Sequence, residues 1–262
     1  MIRSLYTAAT GMHAQETNMD VISNNLANVN TTGYKLVRAN FQDLMYQYLQ
    51  EPGAATSSET ISPSGLQVGL GVRTVGTQKI FTQGDLSSTD GQLDVAIEGD
   101  GFFEVELPDG SQGYTRSGNF QLDDTGRLVT PEGYPISPTI TIPSDATSVT
   151  IGQDGTVSVT IPGQDTASEV GQITGVRFLN NSGLRSIGKN LYQETEASGN
   201  ATTGTFGQDG LGTLAQGFLE SSNVSIVTEV VNMITGQRAY EAASKGITTA
   251  DDMLNTAISL KR

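Results

Sequence analysis

Residues 23–35 read SNNLANVNTTGYK, and they lie where a helical pattern gives way to a turn-rich one. Asn24, Asn25, Asn28 and Asn30 all fall within this stretch. Asparagine is a mediocre helix former because its amide competes for backbone hydrogen bonds. Such a cluster therefore predicts either a turn or a surface that the amides contact.

Both ends of the chain carry apolar residues at alternating steps of three and four, a pattern that predicts two amphipathic helices with heptad stripes. The C-terminal helix is expected to begin at Ser222-Asn223 or Ser225, with Glu229 in its first turn. A second apolar track, which runs from Ala239 to Leu260, predicts that this helix contacts more than one neighbour. The stripe residues are Leu5, Ala8, Met12, Met19, Ile22, Leu26 and Val29, and then Ile226, Val230, Met233, Tyr240, Ile247, Leu254 and Ile258.

Three glycines interrupt the predicted helices, namely Gly11, Gly236 and Gly246. A glycine in a helix costs about 1 kcal/mol relative to alanine. We expect close backbone approach between packed helices to compensate for it.

The middle of the chain alternates short β-like runs with turn residues such as Pro108-Asp109-Gly110 and Asp123-Asp124-Thr125-Gly126. This pattern predicts an antiparallel β-domain over 76–218. Residues 51–73 are too polar and too rich in Gly, Ser and Thr to form a core alone. The expected fold is α+β, with an N-terminal helix and turn (1–45), an extended linker (46–75), the β-domain and a C-terminal helix (219–262), the two helices packing as a coiled-coil-like pair.

Charge is unevenly distributed along the chain. Residues 50–221 hold 7 basic and 21 acidic side chains, whereas the two ends are neutral. The middle should therefore face water, while the ends can pack against copies of themselves without repulsion. Nothing offers the cationic footprint that nucleic acid requires.

Candidates for catalysis or cofactor binding are few. His13 is the only histidine and the chain has no cysteine, so we expect neither a catalytic triad nor a metal site. The Asp-rich loops lack the ligand spacing of calcium loops and are better explained as turns. The sequence therefore predicts a protein that is not an enzyme and has no cofactor.

Two further patterns have simple structural explanations. GLQVGLGVR, residues 65–73, lacks the strand and helix that a nucleotide-binding loop requires. Glu104 and Glu106 occupy alternate positions of one predicted strand, and we interpret them as one solvated face. No apolar run is long enough to span a membrane or to form a cleavable signal peptide.

Three blocks of sequence resemble one protein family. LYTAATGMHAQ (5–15) and DVISNNLANVNTTGYK (20–35) closely resemble the N-terminal signature of the axial proteins of the bacterial flagellum, the rod, hook and hook-filament-junction group. Residues 221–260 resemble the C-terminal helix of these proteins, and 94–136 the β-domain that rod and hook proteins share. Chain length and YQYLQEPGAATSSETISPSGLQVGLGVR (46–73) best match the distal rod members.

The resemblance implies a structural subunit that polymerises helically into a rigid, hollow drive shaft. It implies that the asparagines lie where the N-terminal helix meets helices of neighbouring subunits, and that Gly33-Tyr34 ends this helix. The implied self-assembly surface comprises Leu5, Met12, Met19, Ile22, Asn24, Asn25, Leu26, Asn28, Val29, Val230, Met233, Gln237, Arg238, Tyr240, Ile247, Leu254 and Ile258. The implied inter-subunit linker includes Pro52, Gly53, Pro63, Gly65, Gly69 and Gly71.

The partners that the resemblance implies are other copies of the chain, proximal rod and hook subunits, the surrounding basal-body ring proteins and the flagellar type III export apparatus. Assembly would take place in the periplasm after export without a cleavable signal, and neither nucleic acid nor membrane insertion is expected. Another axial subunit, of the hook or proximal rod, is the nearest alternative. A glycan-binding adhesin-type β-protein is a more remote one.

Overall fold

The computed structural model describes residues 2–53, 63–163 and 166–260. The chain forms two compact units. We call them the helical unit (Met1–Leu26, Val37–Gln78 and Ser225–Arg262) and the β unit (Ala27–Leu36 and Lys79–Val224). The expected α+β fold, with terminal helices and a central antiparallel β region, is confirmed.

The helical unit contains two helices and four strands. Helix α1 spans Ile2–Ala27 and helix α2 spans Ile226–Ser259. Strand β1 (Val37–Asp43) pairs with β4 (Val72–Lys79), and β2 (Tyr46–Gln50) pairs antiparallel with β3 (Leu66–Gly69). The predicted linker therefore contains a β-hairpin in its described part, and residues 54–62 of that linker lie outside the described residues.

The helices of this unit pack antiparallel at one close crossing. Gly236 is buried, and a Cβ placed there would lie 3.6 Å from Gln15 Oε1 and 3.6 Å from Met19 Cγ. These are ordinary van der Waals distances, so α1 packs over Gly236 but leaves room for a Cβ there, and the predicted close backbone approach is not what requires this glycine. It does not explain Gly11 or Gly246 either, since no atom of the described residues lies within 4 Å of a Cβ built at either position.

The helix boundaries follow from capping. The side chain of Ser225 accepts a hydrogen bond from the Thr228 amide, which confirms one of the two predicted starts of α2. Helix α1 ends at Ala27 rather than at Gly33-Tyr34, because residues 28–33 form turns. Neither described helix has an apolar stretch long enough to cross a lipid bilayer.

The β unit is built from antiparallel strands. The largest sheet has six strands in the order β15-β16-β8-β7-β14-β17, a second has the order β11-β12-β13, and three further pairs are β9-β10, β6-β18 and β5-β19. The strands are β5 (Leu86–Ser88), β6 (Val95–Glu98), β7 (Phe102–Glu106), β8 (Gln112–Thr115), β9 (Gln121–Leu122), β10 (Leu128–Val129), β11 (Ser148–Ile151), β12 (Thr156–Thr160), β13 (Ser168–Gln172), β14 (Thr174–Arg177), β15 (Arg185–Gly188), β16 (Leu191–Gln193), β17 (Thr202–Thr205), β18 (Thr213–Gln216) and β19 (Phe218–Glu220).

Strand β7 contributes to a separate core on each face of the six-stranded sheet. Its side chains alternate between faces, so Phe103 and Val105 enter the larger core while Phe102 enters the smaller one with Tyr114. Glu104 pairs across the sheet with Tyr114 and therefore lies on the same face as Phe102.

The interpretation of Glu104 and Glu106 as one solvated face is wrong for Glu104. Glu106 is exposed at the end of the strand, but Glu104 is only 5% exposed. Burial raises the pKa of the Glu104 carboxyl, because the charged form loses its hydration. The sequence pattern was misleading because both faces of this strand are covered.

Candidate assembly site

The asparagine cluster spans the last turn of α1, which holds Asn24 and Asn25, and the turn that follows, which holds Asn28 and Asn30. Asn25 is 1% exposed, and its Nδ2 donates to the Val37 carbonyl at 2.8 Å and to Glu229 Oε2 at 3.0 Å. Its Oδ1 accepts from the Val37 amide at 3.0 Å. One side-chain amide thus satisfies both backbone groups of Val37 and also contacts the first turn of α2.

The other asparagines are more accessible. Asn28 Oδ1 accepts a hydrogen bond from the Thr31 hydroxyl at 3.2 Å, within the turn itself. Asn24 and Asn30 are exposed. The turn thus accounts for Asn28, and contacts with Val37 and Glu229 account for Asn25, while Asn24 remains on the surface where another chain could contact it.

After this turn the chain reaches a buried cluster of three charged side chains, which we call the ion lock: Lys35, Arg116 and Glu220. None of the three is more than 3% exposed. Lys35 Nζ lies 2.6 Å from Glu220 Oε1, and Arg116 Nε lies 2.8 Å from Glu220 Oε2. The Gly84 amide also donates to Glu220 Oε1, at 2.9 Å.

The donors of the ion lock are nearly all paired with acceptors. Lys35 Nζ also donates to the Thr82 carbonyl at 2.7 Å, and Arg116 donates to the carbonyls of Gly101 and Gly99 at 3.0 and 2.9 Å. Burial lowers the pKa of Lys35 and the neighbouring Arg116 lowers it further, while Glu220 opposes both effects. Buried charges are tolerated only when they are paired and hydrogen-bonded in this way.

Gly33 brings the turn against the ion lock. Its amide donates to the Glu220 carbonyl at 2.8 Å, and its φ of +68° is the left-handed region that glycine tolerates best. A Cβ at this position would lie 2.9 Å from the Arg116 carbonyl carbon, closer than real Cβ contacts allow. The Gly33-Tyr34 pair therefore ends the turn rather than the helix.

Most of helix α2 is exposed in a single chain. Val227, Val231 and Ile234, at spacings of four and three, form one uncovered apolar face and are 75, 54 and 52% exposed. Ile258 at the other end of the helix is exposed as well. A helix with so much apolar surface in water requires a further partner.

The predicted assembly residues differ in accessibility. Ile22 and Asn25 are buried within the chain, so a neighbouring chain cannot reach them in this conformation. The half-buried ones are Leu5, Met12, Met19, Leu26, Asn28, Val29, Met233, Ile247 and Leu254. The exposed ones are Asn24, Val230, Gln237, Arg238, Tyr240 and Ile258.

The predicted linker residues also divide into two groups. Pro52, Gly53 and Pro63 are exposed, whereas Gly65, Gly69 and Gly71 are half-buried. Gly71 has a φ of +113° and packs so closely against Thr10 of α1 that a Cβ would collide with the threonine hydroxyl. Its glycine is thus required by packing inside the helical unit.

Three groups of residues were not predicted from the sequence. Val227, Val231 and Ile234 follow the same spacing rule as the predicted stripe, and this spacing is the signal from which they could have been predicted. The hairpin β2-β3 exposes Tyr46, Tyr48, Leu49 and Leu66, which were assigned to a polar linker. No local sequence pattern predicts the ion lock, because its members come from three separate stretches of sequence.

The described residues contain no group of three or more side chains of the types that bind metals. His13 lies on the exposed side of α1, with Nδ1 3.3 Å from Glu16 Oε2. This pair sits on one helix at i and i+3. His13 also lines a cavity of about 390 Å³ together with Tyr6, Leu44 and Arg73.

Three family models match this chain. They are described as the D1 domain of the flagellar hook protein FlgE/F/G (residues 96–159), the C-terminal region of flagellar basal body rod FlgEFG proteins (215–260) and the flagella basal body rod protein (5–35).

Several proteins similar to this chain over nearly their whole length share one name. The flagellar basal-body rod protein FlgG of Buchnera aphidicola subsp. Schizaphis graminum is 56% identical, with 97% of this chain and 98% of that protein aligned. The proteins of the same name from Borreliella burgdorferi and Bacillus subtilis are 50 and 43% identical, and both alignments cover all of both chains.

The ion lock generates a stability prediction. Glu220→Gln removes the only carboxylate in contact with Lys35 and Arg116 among the described residues, and it leaves two buried cations without a counter-charge. Losing one partner of a buried ion pair costs about 3–5 kcal/mol. We expect a decrease of that size in the free energy of unfolding of the full chain, measured in urea. Glu106→Gln, on an exposed strand end, is the matched control, and an equal effect of both variants would contradict the role given to Glu220.

Proposed function

This chain belongs to the flagellar basal-body rod protein family, and we propose that it is a structural subunit of the distal rod that polymerises helically into a hollow, rigid shaft. The observation that carries this proposal is the uncovered apolar face of α2. A single chain leaves this face in water, whereas a helical array of chains can cover it on every subunit. The subunit acts through packing, with neither a catalytic site nor a cofactor.

We assign the two terminal segments (1–45 and 219–262) to the inner wall of the tube and the central β-domain (76–218) to the outer wall. The charge distribution supports this assignment. The chain segments that form the helices are neutral, so many copies can pack side by side without repulsion. The acidic excess belongs to residues 50–221, which suits a surface that faces solvent.

Hairpin β2-β3 supports a bridging role for residues 46–75. Tyr46, Tyr48 and Leu49 are about half exposed, and an isolated two-stranded hairpin is only marginally stable in water. Packing between neighbouring subunits would cover these side chains and stabilise the hairpin. We propose that this packing blocks sliding between subunits and makes the shaft stiff.

The wider setting follows from the family. We propose that copies of this chain form one section of the shaft. This section would contact proximal rod subunits at one end, hook subunits at the other and the basal-body ring proteins around its circumference. The chain would reach the periplasm through the flagellar type III export apparatus, without a cleavable signal peptide.

The first test addresses the helix face. Val231→Asp removes about 1.5–3 kcal/mol of apolar burial at a contact and adds a charge that the contact would desolvate. Because every subunit repeats the defect, we expect no tubes in electron micrographs of the concentrated variant. The strand content of the monomer, measured by circular dichroism, should be unchanged.

Thr160→Asp is the control for this test, because it adds the same charge at an exposed position of the β unit. It should form tubes as the unmodified chain does. Normal tubes from Val231→Asp would show that the α2 face is not an assembly contact.

The second test addresses the hairpin. In the double variant Tyr48→Ser, Leu49→Ser, the apolar surface of β2 is lost while the backbone pairing is kept. We expect tubes that still form but bend, with a shorter persistence length in electron micrographs. Gln47→Ser, an exposed polar change on the same strand, is the control. Straight tubes from the double variant would rule out the stiffening role.

A further inference from the structure

We propose that the β unit carries a second self-contact, in which strand β15 of one copy docks in an acidic groove on the β unit of the next copy. This inference rests on the proposed polymerisation and names an additional contact within it. The groove and the strand belong to the same unit but use different residues. Each copy therefore offers one donor surface and one acceptor surface.

The groove has a volume of about 860 Å³ and is formed by residues 91–94, 120–126 and 141–149. Phe120, Ile142 and Val149 contribute apolar surface, and the exposed Leu122 lies at its edge. Its charged lining is entirely acidic, since Asp94, Asp123 and Asp124 border it and no Lys or Arg is found among its described lining residues. An occupant should therefore combine an apolar side chain with a positive charge.

The three aspartates of the groove differ in whether their carboxylates are already hydrogen-bonded within the chain. Asp123 is held by the Thr125 and Arg127 amides and by Arg127 Nε at 2.8 Å, and these hydrogen bonds lower its pKa. Asp94 accepts a hydrogen bond from the Thr89 hydroxyl. Asp124 is exposed and has no hydrogen bond or ion pair to the described residues, so its carboxylate is the one available to a partner.

Within the described residues of the β unit, Arg185 is the one basic side chain that has no partner. It is exposed at the start of β15. The other basic side chains are engaged: Lys35 and Arg116 in ion pairs with Glu220, Arg127 with Asp123, Arg177 with the Asp209 carbonyl, Lys189 with the Tyr134 hydroxyl, and Lys79 over the Tyr192 ring.

Strand β15 also has the accessible edge and the apolar side chain that an occupant of the groove needs. It is an edge strand of the six-stranded sheet, paired only with β16 in the described part of the chain. Ile187 lies two residues after Arg185 and is exposed, so an apolar and a cationic side chain project from one short edge. This pair matches the apolar and acidic lining of the groove.

Strand β11, beside the groove, is an edge strand whose free backbone groups are hydrogen-bonded by a side chain. The Gln216 amide nitrogen donates to the Val149 carbonyl at 2.8 Å, and its oxygen accepts from the Ile151 amide at 3.0 Å. A side chain thus occupies the place of a further strand there. Strand β15 has a bulge between Ser186 and Gly188, which limits further strand pairing, but no side chain of the described residues covers its edge in this way. We therefore expect its side chains, rather than its backbone, to make the contact.

A contact between two different surfaces of identical chains is heterologous, and repeating it produces a ring or an open helical array. The contact therefore adds to a helical polymer without competing with the helix face. It also places one cation of each copy beside the acidic groove of the next, which offsets repulsion between the acidic β units.

The chain has no cysteine, so introduced thiols can be cross-linked without background. We would assemble the double variant Ile187→Cys, Leu122→Cys, treat the polymer with a short bismaleimide and separate the products on a denaturing gel. The proposal predicts a ladder of multimers, because each copy is linked to both of its neighbours. Neither single cysteine variant should give a ladder.

The control pair is Ile187→Cys, Leu179→Cys, in which Leu179 is 93% exposed but outside the groove. This pair should give no ladder. Polymers of the first pair that yield only monomers on the gel would overturn the docking of β15 in the groove. If the unmodified chain forms no polymer at all, the proposed function itself fails, so the two failures are distinguishable.

A charge exchange tests the same contact without cross-linking. Arg185→Glu and Asp124→Arg should each raise the concentration needed for polymerisation about two- to fivefold, the range of one exposed ion pair. The double variant should return to the concentration of the unmodified chain, because the pair is restored with reversed signs. Glu196→Arg, at an exposed acid outside the groove, should not rescue Arg185→Glu. Equal behaviour of the single and double variants would contradict the proposal.

Discussion

A single buried carboxylate, that of Glu220, holds together stretches of chain that are far apart in sequence. Lys35 comes from the turn after α1, Arg116 from the loop after β8 and Glu220 from the end of β19. The lock fixes the residues from which β1 starts and those from which the chain proceeds to α2. Together with the bonds from Thr32 to Ser117 and from the Leu36 amide to Asn223, the lock attaches the turn of residues 27–36 to the rest of the β unit.

Contacts around the ion lock also explain why particular residue types are needed in and beside the turn that follows α1. Gly33 must be a glycine because it combines a positive φ with close contact to Arg116, and Asn25 must satisfy both backbone groups of Val37. Each of these residues serves a buried backbone that would otherwise lack hydrogen-bond partners. Contacts inside the chain thus account for Gly33 and for Asn25 and Asn28, two of the four asparagines of residues 23–35.

Much of the architecture could be predicted because it depends on local patterns. Heptad spacing located both helices, Ser225 fitted the rules for a cap, and the turn residues located the strands of the middle. Burial that depends on distant contacts could not be predicted. Glu104, Lys35 and Glu220 look like surface residues in the sequence, and only pairing or cross-strand packing makes them internal. The exposed aromatic side chains of Tyr46 and Tyr48 were not predicted as a contact surface, because the segment that contains them is polar on average.

We infer from these features that the β unit is stable by itself, and that the exposed face of α2 is covered by a neighbouring copy of the chain. Hydrogen exchange of the full chain, measured by mass spectrometry as monomer and as polymer, tests this inference most directly. We expect amides of β7 and of residues 33–36 to be protected in both states, and amides of Ile226–Ser259 to exchange quickly in the monomer and slowly in the polymer. Strong protection of Ile226–Ser259 in the dilute monomer, or rapid exchange at residues 33–36, would contradict it.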